Sequence, residues 1–426
     1  MTPPTAARSC RVSCSACVLW RRAPGSPSVS TRILVSVEPS APDGIWLRGS
    51  HLTSKVVNDE PVDHTGRPIH SRPGECAMTS SVSLRVQLQW GMSAQFAGHI
   101  SALVEGYYRD EGLEVELIPG GVGVDVVGAG SAPDGPEFTI SWVPKVLAAV
   151  ESGDSDLVSI AQIFQRSGTC AISLRRSGVT SVADFRGKRI GLWPFGNEFE
   201  MTAGAAKYGL VADVDYTRVT QRFDMAQLLS GEVDVAEAIT YDSYSQILEL
   251  RNPLAGRRYL PSDLHVIDWN VEGTAMLQDA IFARRDWLGA PGNEDIAIAF
   301  LRATFRGWIF AREHPDLSID HVMSMPGVSR KFTAVRGPTQ GRGHQTYQLN
   351  EVNPLIWPCP AGIGITEAAS WDQTVQIALE SGVLTSAPES GSFRNDLAER
   401  ALAEIEADTT GASFVKGTAE ITVDGC

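Results

Sequence analysis

Two tryptophans, Trp90 and Trp193, stand where an apolar run gives way to a polar loop and then a helix, and a third, Trp142, ends a strand just before the helix that Pro144 opens. An indole so placed offers a flat π-face for stacking on a planar molecule. Around them lie side chains suited to the edge of a ring: Gln95, Asn197 and Glu198, with Phe195 and Tyr241 as further rings. Amides both donate and accept, whereas an ionised carboxylate only accepts. Asn197 and Glu198 also open a helix, so capping is an alternative role for them, as it is for Asp242 after Tyr241. The chemistry this set supports is stacking and hydrogen bonding. No Gly-x-Ser-x-Gly motif, nucleophilic Cys/His arrangement or metal-ligand histidine spacing accompanies it.

The elements that must position these residues repeat along the chain. Val86–Trp90 is a strand, Gly91–Gln95 a polar loop, and a helix follows to Arg109 before Gly112. Arg189–Trp193, Pro194–Glu198, a helix to Tyr208 and Gly209 form the second copy. Glu137–Trp142 and Asp234–Tyr241 are likewise acid-led strands that end near an aromatic and run into a helix. Strand–helix alternation of this kind predicts parallel sheets in two α/β halves. In such sheets ligands bind beyond the C-terminal ends of the strands, where all three tryptophans fall. Two such edges facing each other would clamp a flat polar molecule. In the first helix Phe96, Ile100, Val104 and Tyr107 share one predicted face, and helices over 286–312, 345–357 and 365–381 are predicted to pack around the first half. Pro119-Gly120-Gly121 lacks the Lys-Ser/Thr ending of a phosphate loop and reads as a turn.

Composition removes several classes. A net charge of −14 disfavours nucleic acid and anionic membranes as partners. No apolar run reaches the ~18 residues of a transmembrane helix, and Cys17–Trp20 is too short for the core of a signal peptide. Cys10, Cys14 and Cys17 have an iron–sulfur spacing but sit among Arg, Ser and Pro, the wrong context for a cluster. Residues 1–82 lack periodicity and read as disorder or as a spurious extension, with Met78 an alternative start.

Trp90–Gly98, Glu105–Gly112, Pro119–Gly121, Phe185–Gly191 and Gly273–Ala283 together resemble one family over roughly residues 83–390. It comprises substrate-binding proteins of ABC importers related to thiamine-pyrimidine synthase and to sulfonate-binding proteins. The resemblance implies an α/β, type II periplasmic-binding-protein fold with two lobes around a ligand cleft. Lobe 1 would comprise 83–174 plus 280–390, lobe 2 175–279, and 391–426 a tail, helical and then irregular. The implied ligand is riboflavin or an aminopyrimidine precursor of thiamine, delivered to an ABC permease. Glu272 and Asp279, near the implied return crossing, would meet the ring nitrogen and amine of a pyrimidine. Enzymes of the same family use pyridoxal phosphate on a lysine. Matching Leu147-Ala148-Ala149 puts Ser141 at that position and Lys145 at the position of their substrate histidine. Their Cys-rich motif has no counterpart here, so no cofactor is expected. A synthase-like enzyme or ligand sensor of thiamine biosynthesis is the alternative reading. The resemblance implies an extracytoplasmic location and the N-terminus carries no export signal, so the compartment stays open.

Overall fold

Arg85 and Arg189 open the two halves of the molecule in the same way. In this computed structural model, which describes residues 81–194, 196–328 and 341–421, each arginine pairs with the acid that leads a neighbouring strand. Arg85 Nη2 meets Glu137 at 2.8 Å and Arg189 Nη2 meets Asp234 at 2.9 Å, and both acids also accept the arginine's own backbone N–H. The repeated acids of the sequence are therefore clips at the strand starts, far from the edge that carries the tryptophans. The expectations for residues 1–80, Met78 among them, and for Phe195 fall outside the described residues.

The first half supplies β1 (Val82–Gln87), β2 (Leu113–Ile118), β3 (Phe138–Ser141) and β4 (Leu157–Gln162). Then come β5 (Thr169–Leu174), β6 (Arg189–Leu192), β7 (Thr217–Thr220) and β8 (Val235–Ile239). A short ribbon, β9 (Arg251–Asn252) with β10 (Arg257–Arg258), precedes β11 (Leu264–Asp268) and β12 (Ala280–Arg284). One sheet has the order β2-β1-β3-β12-β4 and the other β11-β5-β8-β6-β7. Reversing the second list superimposes the two orders: β6 plays the part of β1, β8 of β3, and β5 of β12.

The sheets are mixed rather than wholly parallel. In each, the fourth strand runs antiparallel to its neighbours, β12 against β3 and β4, β5 against β8 and β11. These are the strands the chain enters immediately after crossing from the other lobe. No local pattern separates such a strand from a parallel one, because strands buried on both faces are continuously apolar in either case. β5 thus belongs to the second sheet, and the first crossing falls near residues 163–168, not at 174.

The first lobe closes around helix Asn293–Glu313, whose Phe300, Leu301, Phe305 and Trp308 are fully buried. Helix Ala97–Glu105 packs on it through small residues. A Cβ added to Gly307 would stand 2.1 Å from the Gly98 carbonyl oxygen, and one added to Gly98 would overlap the Trp308 ring. The helix departs from the predicted face at two positions. The helix breaks at Gly106, which takes a left-handed φ of +84°, so Tyr108 turns inward and Val104 is exposed. The expected tail is also partly core: Leu397, Ala398 and Ala401 of helix Asn395–Leu402 are fully buried, and Phe393 extends the sheet beside β4. Such cover protects a sheet edge that would otherwise pair with other chains.

Gly307→Ala should destabilise the protein by about 1–3 kcal/mol through overpacking, measured as a lower urea midpoint at unchanged slope. A loss under about 0.5 kcal/mol would show that this helix crossing can part at little cost.

Candidate functional site

The C-terminal ends of the parallel strands of both sheets face one cleft of about 710 Å³. The first lobe lines it with Gln89 and Trp90 after β1, the 121–127 loop after β2, and Trp142 after β3. From the second come Trp193 and Asn197 after β6, Gln221 and Phe223 after β7, and Tyr241 and Asp242 after β8. Helix Arg342–Ile356 adds His344, Gln345 and Gln348. The lining is predominantly apolar, as small-molecule sites usually are.

Trp90 and Trp193 do not face each other across open space. Phe223 stands between them, its ring centroid 5.0 Å from Trp90 and 5.9 Å from Trp193, nearly parallel to the latter at 8°. Trp193 is fixed further by its backbone N–H to Glu237 (2.7 Å) and its indole N–H to the Arg222 carbonyl (3.1 Å). With only 4% of its surface exposed, Trp193 presents little of its face to the cleft, whereas Trp90 and Phe223 are half-buried.

Trp142 is held from behind. Its indole N–H donates to Asp279 Oδ1 at 2.8 Å, and Gln95 Nε2 donates to Oδ2 at 2.9 Å. Asp279 does not line the cleft; it is the buttress that orients two residues that do. Burial lifts its carboxyl to about 6, against the pull of the Gln95 and Trp142 hydrogen bonds. Its backbone has φ +20°, and its carbonyl accepts the N–H groups of Ile163 and Phe164 (3.2 and 3.3 Å).

Among the other expected contacts, Gln95, Asn197 and Tyr241 line the cleft. Asn197 donates to the Pro194 carbonyl (2.9 Å), and Glu198 folds back onto the Gly196 N–H (2.9 Å) without lining the cleft. Neither side chain caps helix Phe199–Lys207. Glu272 lies outside the cleft, where it accepts the Tyr208 hydroxyl (3.0 Å). A position near a crossing does not decide which side of the chain a carboxylate leaves from. Asp242 makes no cap either; it meets His344 Nε2 at 3.0 Å while Glu249 meets Nδ1 at 2.8 Å. Burial alone would depress His344, but the Asp242 and Glu249 hydrogen bonds outweigh it and raise the imidazole to about 9. The ring is thus a buried imidazolium at neutral pH. Phe223, Lys145, His344, Gln345 and Gln348 were not picked out as contacts from sequence. Phe223 follows a strand end and fits the rule that picks out the tryptophans; the helix carrying His344 has a local signal, but nothing in it points His344 toward the cleft.

Behind the cleft the two crossings are stitched together. Gln278 Oε1 accepts the Gly168 N–H (2.9 Å), and its amide donates to Ser167 Oγ (3.0 Å) and Thr169 Oγ1 (3.2 Å). Glu200, from the second lobe, accepts the hydroxyls of Ser167 and Thr169 and the Met276 N–H. Burial raises its carboxyl to about 7, opposed by those hydrogen bonds and assisted by the Asp268 charge.

Solved structures similar to this chain share that architecture. They include a periplasmic sulfonate-binding protein of an ABC transporter from Methylobacillus flagellatus KT, at 18% identity and TM-score 0.55 over 76% of this chain and 95% of that one. The periplasmic aliphatic sulphonate-binding protein of Escherichia coli is similar at 16% identity and TM-score 0.51, over 75% and 92%. A desulfurization enzyme, DszB, is similar at 14% identity and TM-score 0.50, over 76% and 99%. No curated protein sequence matches. The fold is that of the type II periplasmic-binding proteins, two α/β lobes with a cleft between their strand ends. The sequence pattern of the NMT1/THI5-like family matches residues 93–318, more than half of the 426, and the chain belongs to that family.

The crossing network makes a pH prediction. Glu200 is lifted from 4.5 to about 7 in the folded protein, so its contribution to stability is complete below about pH 4.5 and lost as pH rises through about 7. Glu200→Gln can keep the Met276 bond and donate to the hydroxyls. From about pH 5.5 to pH 8 the wild type should lose about 1–3 kcal/mol relative to this variant. Parallel pH profiles of urea unfolding would exclude the elevated value.

Proposed function

We propose that this protein closes its lobes on a flat heteroaromatic vitamin or vitamin precursor, riboflavin or a thiamine-precursor aminopyrimidine, and presents it to an ABC importer. The carrying observation is the meeting of half-buried Trp90 from one lobe with Phe223 from the other around a single cleft, whose wall also includes the edges of the buried Trp142 and Tyr241. Stacking supplies affinity there, and amides such as Gln95 and Asn197 supply directional contacts. A cleft of about 710 Å³ exceeds the needs of one pyrimidine ring, which favours the flavin-sized ligand. Closure by bending at the crossings would turn occupancy into a shape a permease can recognise. Several structural neighbours being importer components adds support through fold alone. Ser141, in place of the cofactor lysine of the family's synthases, is fully buried and bonded to Gln89 (3.1 Å), which speaks against pyridoxal phosphate chemistry at that position.

Titrating the full chain with riboflavin and with an aminopyrimidine should quench tryptophan fluorescence saturably for one of them. Trp90→Ala should weaken that binding about tenfold, roughly 1.4 kcal/mol, without a shift in unfolding midpoint. Absence of binding by both rings would overturn the reading. An imine absorbance with pyridoxal phosphate would replace it with the enzyme.

A further inference from the structure

Lys145 is the one lysine or arginine among the described residues that lines the cleft. It lies in the first turn of helix Val143–Glu151, directly after the Trp142 ring, among Val126, Val127 and Ala149 on the same wall. Its ammonium has no ion-pair partner among the described residues. The acids whose charge reaches it are Asp125 and Glu198, and each is engaged elsewhere. Asp125 accepts the Gly128 N–H (3.0 Å) and Glu198 the Gly196 N–H (2.9 Å). The remaining cation of the cleft, His344, is already matched by Asp242 and Glu249. Lys145 is thus a half-buried positive charge with no contact neutralising it, at the positive end of a helix and beside a stacking ring.

We propose that the ligand's aromatic system carries a carboxylate, and that Lys145 pairs with it while the ring lies against Trp90. This rests on the aromatic-cleft reading above but departs from its two named candidates, since neither riboflavin nor the aminopyrimidine carries a carboxylate: the ligand is a heteroaromatic acid. Charge-assisted hydrogen bonds are shorter and about twice as strong as neutral ones, and a partly desolvated ammonium gains most from a new counter-charge. Burial holds the Lys145 amine below its ordinary value despite Asp125 and Glu198, and a bound carboxylate within 4–6 Å would raise it again.

The test uses two probes of one shape, quinoline-3-carboxylate and its neutral carboxamide, measured by calorimetry on the full chain near neutral pH. The carboxylate should bind at least tenfold more tightly, with an advantage that shrinks as salt is added. Lys145→Met should bring the ratio of the two affinities close to one, and Lys145→Arg should restore most of it. Equal binding of both probes to the wild type, or a preference that survives Lys145→Met, overturns the inference and leaves the aromatic reading in place. Failure of both quinolines in protein that binds riboflavin or the aminopyrimidine also overturns the inference alone. If no ring binds, the underlying reading falls with it.

Discussion

Everything in this molecule depends on two stretches of chain lying side by side between the lobes. Residues 163–168 carry the chain out of the first sheet and 274–279 carry it back. Both are buried over much of their length, so their backbone and side-chain polar groups need partners. Each supplies them to the other: Gln278 bonds to Gly168, Ser167 and Thr169, and the Asp279 carbonyl takes the N–H groups of Ile163 and Phe164. The pairing fixes which strands enter each sheet antiparallel. With that set, the parallel strand ends of both lobes must look at the same cleft.

The cleft is coupled to these crossings through one carboxylate. Asp279 holds the Trp142 indole and the Gln95 amide from behind, while its own backbone belongs to the return crossing. Trp142 and Gln95 are thus held by a residue of the return crossing itself. Across the opening, Phe223 already contacts Trp90, joining a loop of the second lobe to the first. A ligand would favour closure only as far as it binds the closed form more tightly than the open one, and rings contributed by both lobes create that difference.

The same backbone serves different chemistry in other chains. Among the structures with this fold are a protein described as sulfonate-binding and one described as a desulfurization enzyme. Function must therefore be argued from side chains. Among the described residues those are rings, amides, an imidazole held between two carboxylates and the Lys145 ammonium.

The two-lobed α/β plan and the edge at which the site sits are legible in the local pattern of the sequence. Its doubled strand–loop–helix phrase is local, and local periodicity is enough to place strand ends carrying Trp90, Trp142 and Trp193. Gln95, Asn197 and Tyr241, which the same phrase singles out, line the cleft in the fold. Which acids face inward depends on packing between distant segments. Asp279 proved a support, Glu198 a loop bond and Glu272 a partner of Tyr208, because side-chain direction at an irregular crossing depends on backbone turns that no period encodes. Phe223 between the tryptophans, and His344 reaching Asp242 and Glu249 from a helix about a hundred residues away, are contacts between distant segments. Such contacts arise from how the sheets and helices pack, and that packing leaves no trace in either segment alone.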